Sequence, residues 1–315
     1  MAGDPGAVRR AVRAALARLP DDVRAAPPLV GCSGGADSLA LLLATHAERP
    51  DARAAVVDHG LQEGSAERSR ELVAQLRERG IAADVHPVVV EGTGGTEAAA
   101  RRVRYAALEA ARPEPRSAVL LGHTLDDQAE TVLLGLGRGS GPRSVVGMRE
   151  WDPPWLRPLL AVRRADTRAA CAARGLTSWE DPHNADPRFT RVRLRHEVLP
   201  LLEDVLAGGV AEALTRTAGQ LREDAAALDG WASRVRCAAE RDDALDVAEL
   251  APIPAAVRRR VLRSWLRDHG AGPLTDAHLR AADDLVGAWR GQGGPRLPGG
   301  LDLLRERGRL VLHIR

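Results

Sequence analysis

The chain contains no lysine. All 45 of its strongly basic residues are arginine, set against 43 acidic ones in 315 residues. With abundant alanine, glycine and proline, this composition reflects a GC-rich genome more than a functional choice. Cysteine is scarce as well. Cys32, Cys171 and Cys237 lie far apart and form no C-x-x-C pair, which argues against a disulfide framework, a zinc site or a cluster built within the chain. No run approaches the ~20 consecutive apolar residues of a membrane span. The small, polar and charged residues from Met1 to Arg10 do not form a secretory leader, so a cytoplasmic protein without a membrane partner is expected. No internal repeat or low-complexity tract occurs. A net charge of +2 permits a polyanionic partner without requiring one, so the placement of the arginines matters more than their sum.

The length accommodates two domains, each with its own core. Apolar runs entering residue 31 and over 54–58, 81–90, 118–121 and 156–160 read as strands. Helical periodicity covers 6–19, 36–46, 65–79, 96–111, 166–174 and a segment opening near Leu125 and stopping around 135–141. This alternation predicts an α/β fold, a parallel Rossmann-like sheet covered on both faces, with its ligand at the C-terminal strand ends. Residues 175–190 read as a long loop, and a helix begins near Arg191. Gly208-Gly209 marks the boundary between a catalytic domain over 1–207 and a smaller, mainly helical domain over 208–315. That second domain is expected to hold a long helix from Val210, a short strand over 244–250, helices over 254–269 and 275–289, and a closing hairpin over 301–314.

The most informative stretch is Leu29-Val30-Gly31-Cys32-Ser33-Gly34-Gly35-Ala36-Asp37-Ser38. A strand, a glycine turn and a helix start are the parts of an anion site. Glycine admits close backbone approach, and unpaired N–H groups at the helix start face the anion with the positive dipole end. Ser33 and Ser38 add hydroxyls. Asp37 stands where the dipole favours an anion, which suggests magnesium or a cap. No lysine follows, so this is not the G-x-x-x-x-G-K-[ST] loop, and an ordinary Gly-rich turn would carry the same local features. The pattern S-G-G-x-D-S resembles the PP-loop of the ATP pyrophosphatases, which split ATP between its α and β phosphates. The resemblance implies ATP with its phosphates on Ser33, Gly34, Gly35, Ala36 and Ser38, and magnesium at Asp37.

A second stretch, Gly122-His123-Thr124-Leu125-Asp126-Asp127-Gln128-Ala129-Glu130-Thr131, again leaves a strand. Clustered acids there can hold magnesium or an ammonium group, and histidine can contact phosphate or move a proton. A capping box of Thr124 with Asp127 explains part of the same pattern. The string resembles the H-x-x-D-D-Q-A-E-T segment of PP-loop tRNA-modifying enzymes. The resemblance implies catalytic roles for Asp37, His123, Asp126, Asp127 and Glu130, with Gly122 and His123 beside the nucleotide. Val57-Asp58-His59-Gly60-Leu61 is similar to the segment after that family's second strand, which places Asp58 and His59 by ATP. The helix carrying Glu97, Arg101 and Arg104 resembles the family's E-x-x-A-R-x-x-R-Y helix, although a salt-laced surface helix would look alike. Arg138 falls in an R-G-S-G turn of the same type.

The third stretch, from Trp179 to His196, resembles the D-x-S-N…R-N-x-x-R-H signature of the tRNA(Ile)-lysidine synthetase family. Asp181, Asn184, Arg191, Arg195 and His196 are retained, while His183 and Val192 depart from it. If helical, Arg188, Arg191 and Arg195 line one face suited to phosphate, or a solvated one. The resemblance implies ligation of free L-lysine to cytidine 34 of tRNA(Ile) with a CAU anticodon, through an adenylated base. A tRNA thiolase is the nearest rival, weakened by the unpaired cysteines. A non-catalytic ATP-binding regulator is weakened by the second acidic motif. The sequence leaves the oligomeric state open and allows a homodimer.

Overall fold

The computed structural model describes residues 3–90, 96–139, 141–176, 178–179 and 186–314. Contacts divide the chain into two units, Met1–Gly137 with Gly147–Thr217, and Arg138–Val146 with Ala218–Arg315.

The first unit opens with α1 (Ala7–Ala17), whose Val8, Val12, Ala15 and Leu16 are buried at the helical spacing read from the sequence. After α2 (Asp21–Ala25), β1 (Leu29–Gly31) leads through the glycine turn into α3 (Ala36–Glu48). Then follow β2 (Arg53–Asp58), α4 (Ser65–Glu78), β3 (Ala82–Pro87), α5 (Thr96–Ala110), β4 (Val119–Leu120) and α6 (Leu125–Arg138). The short α7 (Pro142–Val145) belongs to the second unit. The chain returns with β5 (Trp151–Asp152), β6 (Trp155–Leu156), α8 (Arg164–Ala172), α9 (Thr190–Arg193) and α10 (Leu199–Val205).

The sheet order is β3-β2-β1-β4-β6-β5, parallel except for the β5–β6 edge. Val30 pairs Ala54 on one side and Leu120 on the other. Strand order reverses between β1 and β4, which opens a crevice at their C-terminal ends. Leu41, Leu42, Leu120 and Leu156 are completely buried beneath it, each worth about 1.5–3 kcal/mol of transfer free energy.

Up to residue 217, three boundaries differ from the sequence reading. The expected strand over 156–160 is only β6, completed by the antiparallel pairing of β5 that no period-2 pattern announced. The helix expected from Arg191 is interrupted by a π turn, Leu194–Val198, between α9 and α10. Pro200 accounts for this, because it lacks an N–H and its ring crowds the carbonyl four residues back, so the wider turn absorbs the conflict. The compact units part within a helix, after Thr217, rather than at Gly208-Gly209. Those two glycines have positive φ and precede that helix, α11 (Val210–Ala239).

The second unit continues with β7 (Glu240–Arg241), β8 (Ala244–Asp246), α12 (Val247–Leu250), α13 (Ala255–Asp268), α14 (Asp276–Gly287), β9 (Arg296–Leu297), β10 (Leu301–Glu306) and β11 (Arg309–Ile314). Its strands form an antiparallel sheet in the order β7-β8-β11-β10-β9, so helices share this unit with a sheet. The expected hairpin is its β10–β11 pair. The strand expected over 244–250 ends at Asp246, whose carboxylate accepts from Ala248 N–H and caps α12. Trp265, Leu262 and Leu266 of α13 are fully buried in its core. Among the described residues, no helix is long and apolar enough to cross a membrane.

Candidate active site

The glycine turn is held by one hydroxyl. Ser38 Oγ accepts from Ser33 N–H at 3.1 Å, donates to Gly35 O at 2.9 Å and meets Ser33 Oγ at 3.2 Å. Gly34 has φ +82°, a conformation that favours glycine. Among the described residues no side chain caps the start of α3, so its first N–H groups face the crevice with the helix dipole behind them. Across the crevice, a Cβ on Gly122 would lie 3.0 Å from the Asp37 carbonyl, so β4 and α3 meet there backbone to backbone. Asp58, at the end of β2, accepts from Gly60 N–H at 3.0 Å and shapes the neighbouring turn.

Asp37, which lines the crevice with the turn, also enters a cage of charge. Thr167 donates its hydroxyl to Asp37, and Arg164 Nε reaches the other carboxylate oxygen at 3.3 Å. The same guanidinium binds Asp127 at 2.7 Å and lies 3.7 Å from Glu130. Arg195 holds Glu130 at 2.8 Å and Asp127 at 3.4 Å. Asp126 accepts from the Arg164 backbone N–H at 2.8 Å, capping α8, and lies 3.4 Å from Arg163. Four carboxylates therefore face three guanidiniums. Thr124 closes the expected capping box, donating N–H and hydroxyl to Asp127 at 2.8 Å each.

These contacts set the protonation states. Burial raises the pKa of Asp37 above the usual carboxylate value, against the pull of Thr167 and Arg164. Burial likewise raises Glu130, whose side chain has no exposed surface. For Asp127 burial is outweighed by Arg164 and the Thr124 N–H, and the pKa falls. Burial lowers the affinity of Arg164 for its proton, but Asp127, Asp37, Glu130 and Asp126 more than reverse this, so it is firmly cationic. His123 is pushed down to about 3, by burial first, with Arg104, Arg157 and Arg101 adding to the effect against Asp127. It is a neutral imidazole at pH 7, and its Nδ1 is buried without a partner among the described residues. His59 is also lowered, by burial and then Arg104.

The crevice has a volume of about 940 Å³ and contains the PP-loop, His59, Arg104, His123, Asp127 and Arg195 on its walls. Arg104 has no carboxylate within 4.0 Å among the described residues, and its guanidinium stands 5.9 Å from the Tyr105 ring. Trp179 donates its N–H to Gly34 O at 3.0 Å, and Arg68 stacks on its ring at 5.1 Å.

The three sequence stretches thus converge, but not wholly. Arg195 enters the cage, whereas Arg188 is exposed and paired with Asp186, so the expected arginine stripe is broken. Arg191 is half-buried; His196 lines the crevice. Arg101 donates to the Tyr105 hydroxyl, and exposed Arg138 ends α6. Val192, where the family signature has asparagine, is buried at 8% exposure. Asp181, His183 and Asn184 lie outside the described residues, as does the side chain of Glu97.

Sequence reasoning missed Arg163, Arg164 and Thr167. One signal was available: two arginines at the start of α8 oppose its dipole and need nearby acids to offset them. It also gave no role to Gln128, which is buried and pins α6 to Met148 through two hydrogen bonds, 2.9 and 2.6 Å.

Residues 9–202 match the family described as a PP-loop domain, and residues 245–311 match the TilS substrate binding domain. A tRNA(Ile)-lysidine synthase of Nocardia farcinica is 58% identical over 314 residues, covering 97% of both chains. That of Mycolicibacterium paratuberculosis is 60% identical over 275 residues, covering 86% of this chain and 85% of its own. Among solved structures, the U34-tRNA thiolase NcsA from Methanococcus maripaludis with its [4Fe-4S] cluster is 20% identical. It covers 69% of this chain and 78% of its own at a TM-score of 0.55, a likeness of fold alone. With PP-loop geometry at β1, the acidic motif at β4 and near-full-length identity to these synthases, the chain belongs to the tRNA(Ile)-lysidine synthase family.

Proposed function

We propose that this protein ligates the ε-amine of free L-lysine to C2 of cytidine 34 in tRNA(Ile) with a CAU anticodon, consuming ATP in the cytoplasm. The observation that carries the reading is 58% identity to a lysidine synthase over 97% of the chain. ATP lies with its phosphates against the uncapped start of α3, served by Ser33, Gly34, Gly35, Ala36 and Ser38. Its nucleoside runs toward Asp58, His59 and Gly122. The C2 oxygen of the base attacks the α-phosphorus, and the α–β bridging bond breaks with its electrons on pyrophosphate. The lysine ε-nitrogen then attacks C2, AMP departs with the C2–O bonding pair, and the nitrogen loses a proton.

Asp127 lines the crevice, as Asp37 and Asp58 do, and suits an ammonium group of lysine, with Glu130 buried behind it as the second acid of the pair. His123, neutral with a pKa of about 3, is too weakly basic to take the amine proton in this state and serves as an uncharged hydrogen-bonding wall. Among the described residues no group of three or more His, Cys, Asp and Glu side chains could hold a metal alone. That fits magnesium carried mainly by phosphates, which needs only one or two carboxylates, and Asp37 is placed to supply one. When bound, the ion would offset charge on the departing pyrophosphate. Arg104 suits a substrate phosphate. Glu97, Arg101, Arg138, Asp181, Asn184, Arg188 and Arg191 join the tRNA-facing set on their motifs.

The test is incubation with ATP, magnesium and labelled lysine, using tRNA(Ile) with CAU and tRNA(Met) as control. Label entering only tRNA(Ile), with AMP formed alongside, supports the proposal. AMP without lysine incorporation points to another nucleophile, thiolation first, and no tRNA-dependent AMP points to a regulator.

A further inference from the structure

A planar trans peptide carries its C=O and N–H on opposite sides, so holding the carbonyl aims the N–H. Two carbonyls of the PP-loop are held in this way, both from α8 or just after it. Trp179 N–H donates to Gly34 O at 3.0 Å, and Cys171 Sγ donates to Ala36 O at 3.3 Å. The N–H groups of those two peptides belong to Gly35 and Asp37, and among the described residues neither N–H has a partner. Arg164, Thr167 and Cys171 fall at i, i+3 and i+7, so one face of α8 meets the first turn of α3. Thr167 and Arg164 each take one oxygen of Asp37. Thr167 and Cys171 are buried, and burial pushes the Cys171 thiol up, so Sγ keeps the proton it donates.

Arg164 balances the charge of the acids, whereas Thr167 and Cys171 are uncharged and contribute geometry. A threonine in a helix can satisfy its hydroxyl on its own turn, and Thr167 Oγ1 does lie 2.8 Å from Arg164 O. Reaching across to α3 as well fixes the first turn of that helix against α8. Donors that bind a ligand need such support, because they must be held within about 0.5 Å of the productive geometry. We propose that Thr167 and Cys171 are positioning residues: with Trp179 they splint the PP-loop and aim the Gly35 and Asp37 N–H groups at the phosphates of ATP. The proposal rests on the functional reading above for the placement of ATP.

The experiment measures the dissociation constant for ATP with magnesium in the absence of tRNA, on the full-length protein, with inorganic pyrophosphate and adenosine as competitors. Thr167→Val keeps the shape of the side chain and removes the hydroxyl. It is expected to weaken ATP and pyrophosphate by about tenfold, and Cys171→Ala by about threefold. Adenosine, which carries no phosphate, is expected to change by less than about twofold. Thr167→Ser and Cys171→Ser each keep a donor and are expected to bind ATP within about twofold of wild type. Unchanged ATP binding in both Thr167→Val and Cys171→Ala would overturn the splint. So would equal weakening of ATP, pyrophosphate and adenosine, because a merely loosened crevice treats all three alike. Should Thr167→Val fail to fold, Cys171→Ala keeps the test open, since it removes a single sulfur atom. Wild type that binds ATP without incorporating lysine would overturn the functional reading alone, and the ATP constants would still judge the splint. Wild type that binds no ATP would overturn both.

Discussion

Replacing Arg164 by methionine keeps the stem of the side chain and removes the guanidinium shared by Asp37, Asp127 and Glu130. Arg164 is 17% exposed, and its three partners are 24%, 13% and 0% exposed, so solvent screens little of the loss. Taking one member from a buried ion pair costs about 3–5 kcal/mol, because the remaining charge stays buried. Three contacts soften this: Arg195 remains on Glu130, Thr124 on Asp127 and Thr167 on Asp37. The expected destabilisation is therefore near the lower end, about 3 kcal/mol at pH 7.5. It is read as a fall in the urea midpoint of the ligand-free protein at unchanged m.

The sign of the pH dependence follows from the same carboxylates. Asp37 and Glu130 have raised folded pKa values, so their protonated forms favour the fold, and that contribution is lost as pH rises through the raised values. Without Arg164 the values rise further, which enlarges the penalty at neutral and higher pH. Asp127 has a lowered value, and its contribution is present above the usual carboxylate range and lost as pH falls through the folded value. Loss of Arg164 removes that benefit mainly at high pH too. Both effects make the penalty largest at pH 7–8 and smaller toward pH 4–5. A penalty below about 1 kcal/mol, or one that grows on acidification, would refute the view that Arg164 neutralises the cage.

Three further outcomes are expected. Gly122→Ala puts a Cβ 3.0 Å from the Asp37 carbonyl and 3.1 Å from Ser38 N. Forcing those backbones apart should cost about 1–3 kcal/mol and raise the KM for ATP at least tenfold, measured by initial rates. His123, with a pKa of about 3, should show no NMR titration between pH 5 and 8. Because the unfolded chain takes up that proton below about 6.5, stability should fall as pH drops, by up to about 1.4 kcal/mol per unit from this group. Chelation of magnesium should abolish pyrophosphate release while leaving the melting temperature unchanged, because arginines rather than a metal balance the cage.

What the sequence disclosed was what is local. A parallel strand buried on both faces is a continuous apolar run, and the PP-loop completes its geometry within six residues, Ser33 to Ser38. The capping box at Thr124 is likewise a four-residue device. Short strands escaped notice, because two residues such as Trp151–Asp152 or Arg296–Leu297 cannot show alternation. The expected stripe of Arg188, Arg191 and Arg195 assumed a regular helix. The π turn around His196 and the exposed Arg188–Asp186 pair undo that assumption, and only Arg195 reaches the acids.

The partners that settle the chemistry of the acids are long-range. Arg164 lies 37 residues from Asp127 and 127 from Asp37, and Arg195 lies 65 from Glu130. No periodicity links positions so far apart; the fold joins them by directing the starts of α3, α6 and α8 to one end of the sheet. Leu125 N–H bonds Val162 O at 2.9 Å, which ties the entry of α6 to the segment before α8. Asp126 then caps α8, offsetting the cost of placing arginines at a positive helix end. The phosphate loop and the acidic motif thereby become one electrostatic system. Arg164 answers Asp37 on one side and Asp127 on the other, so charge gained or lost at either acid reaches the other through a single guanidinium.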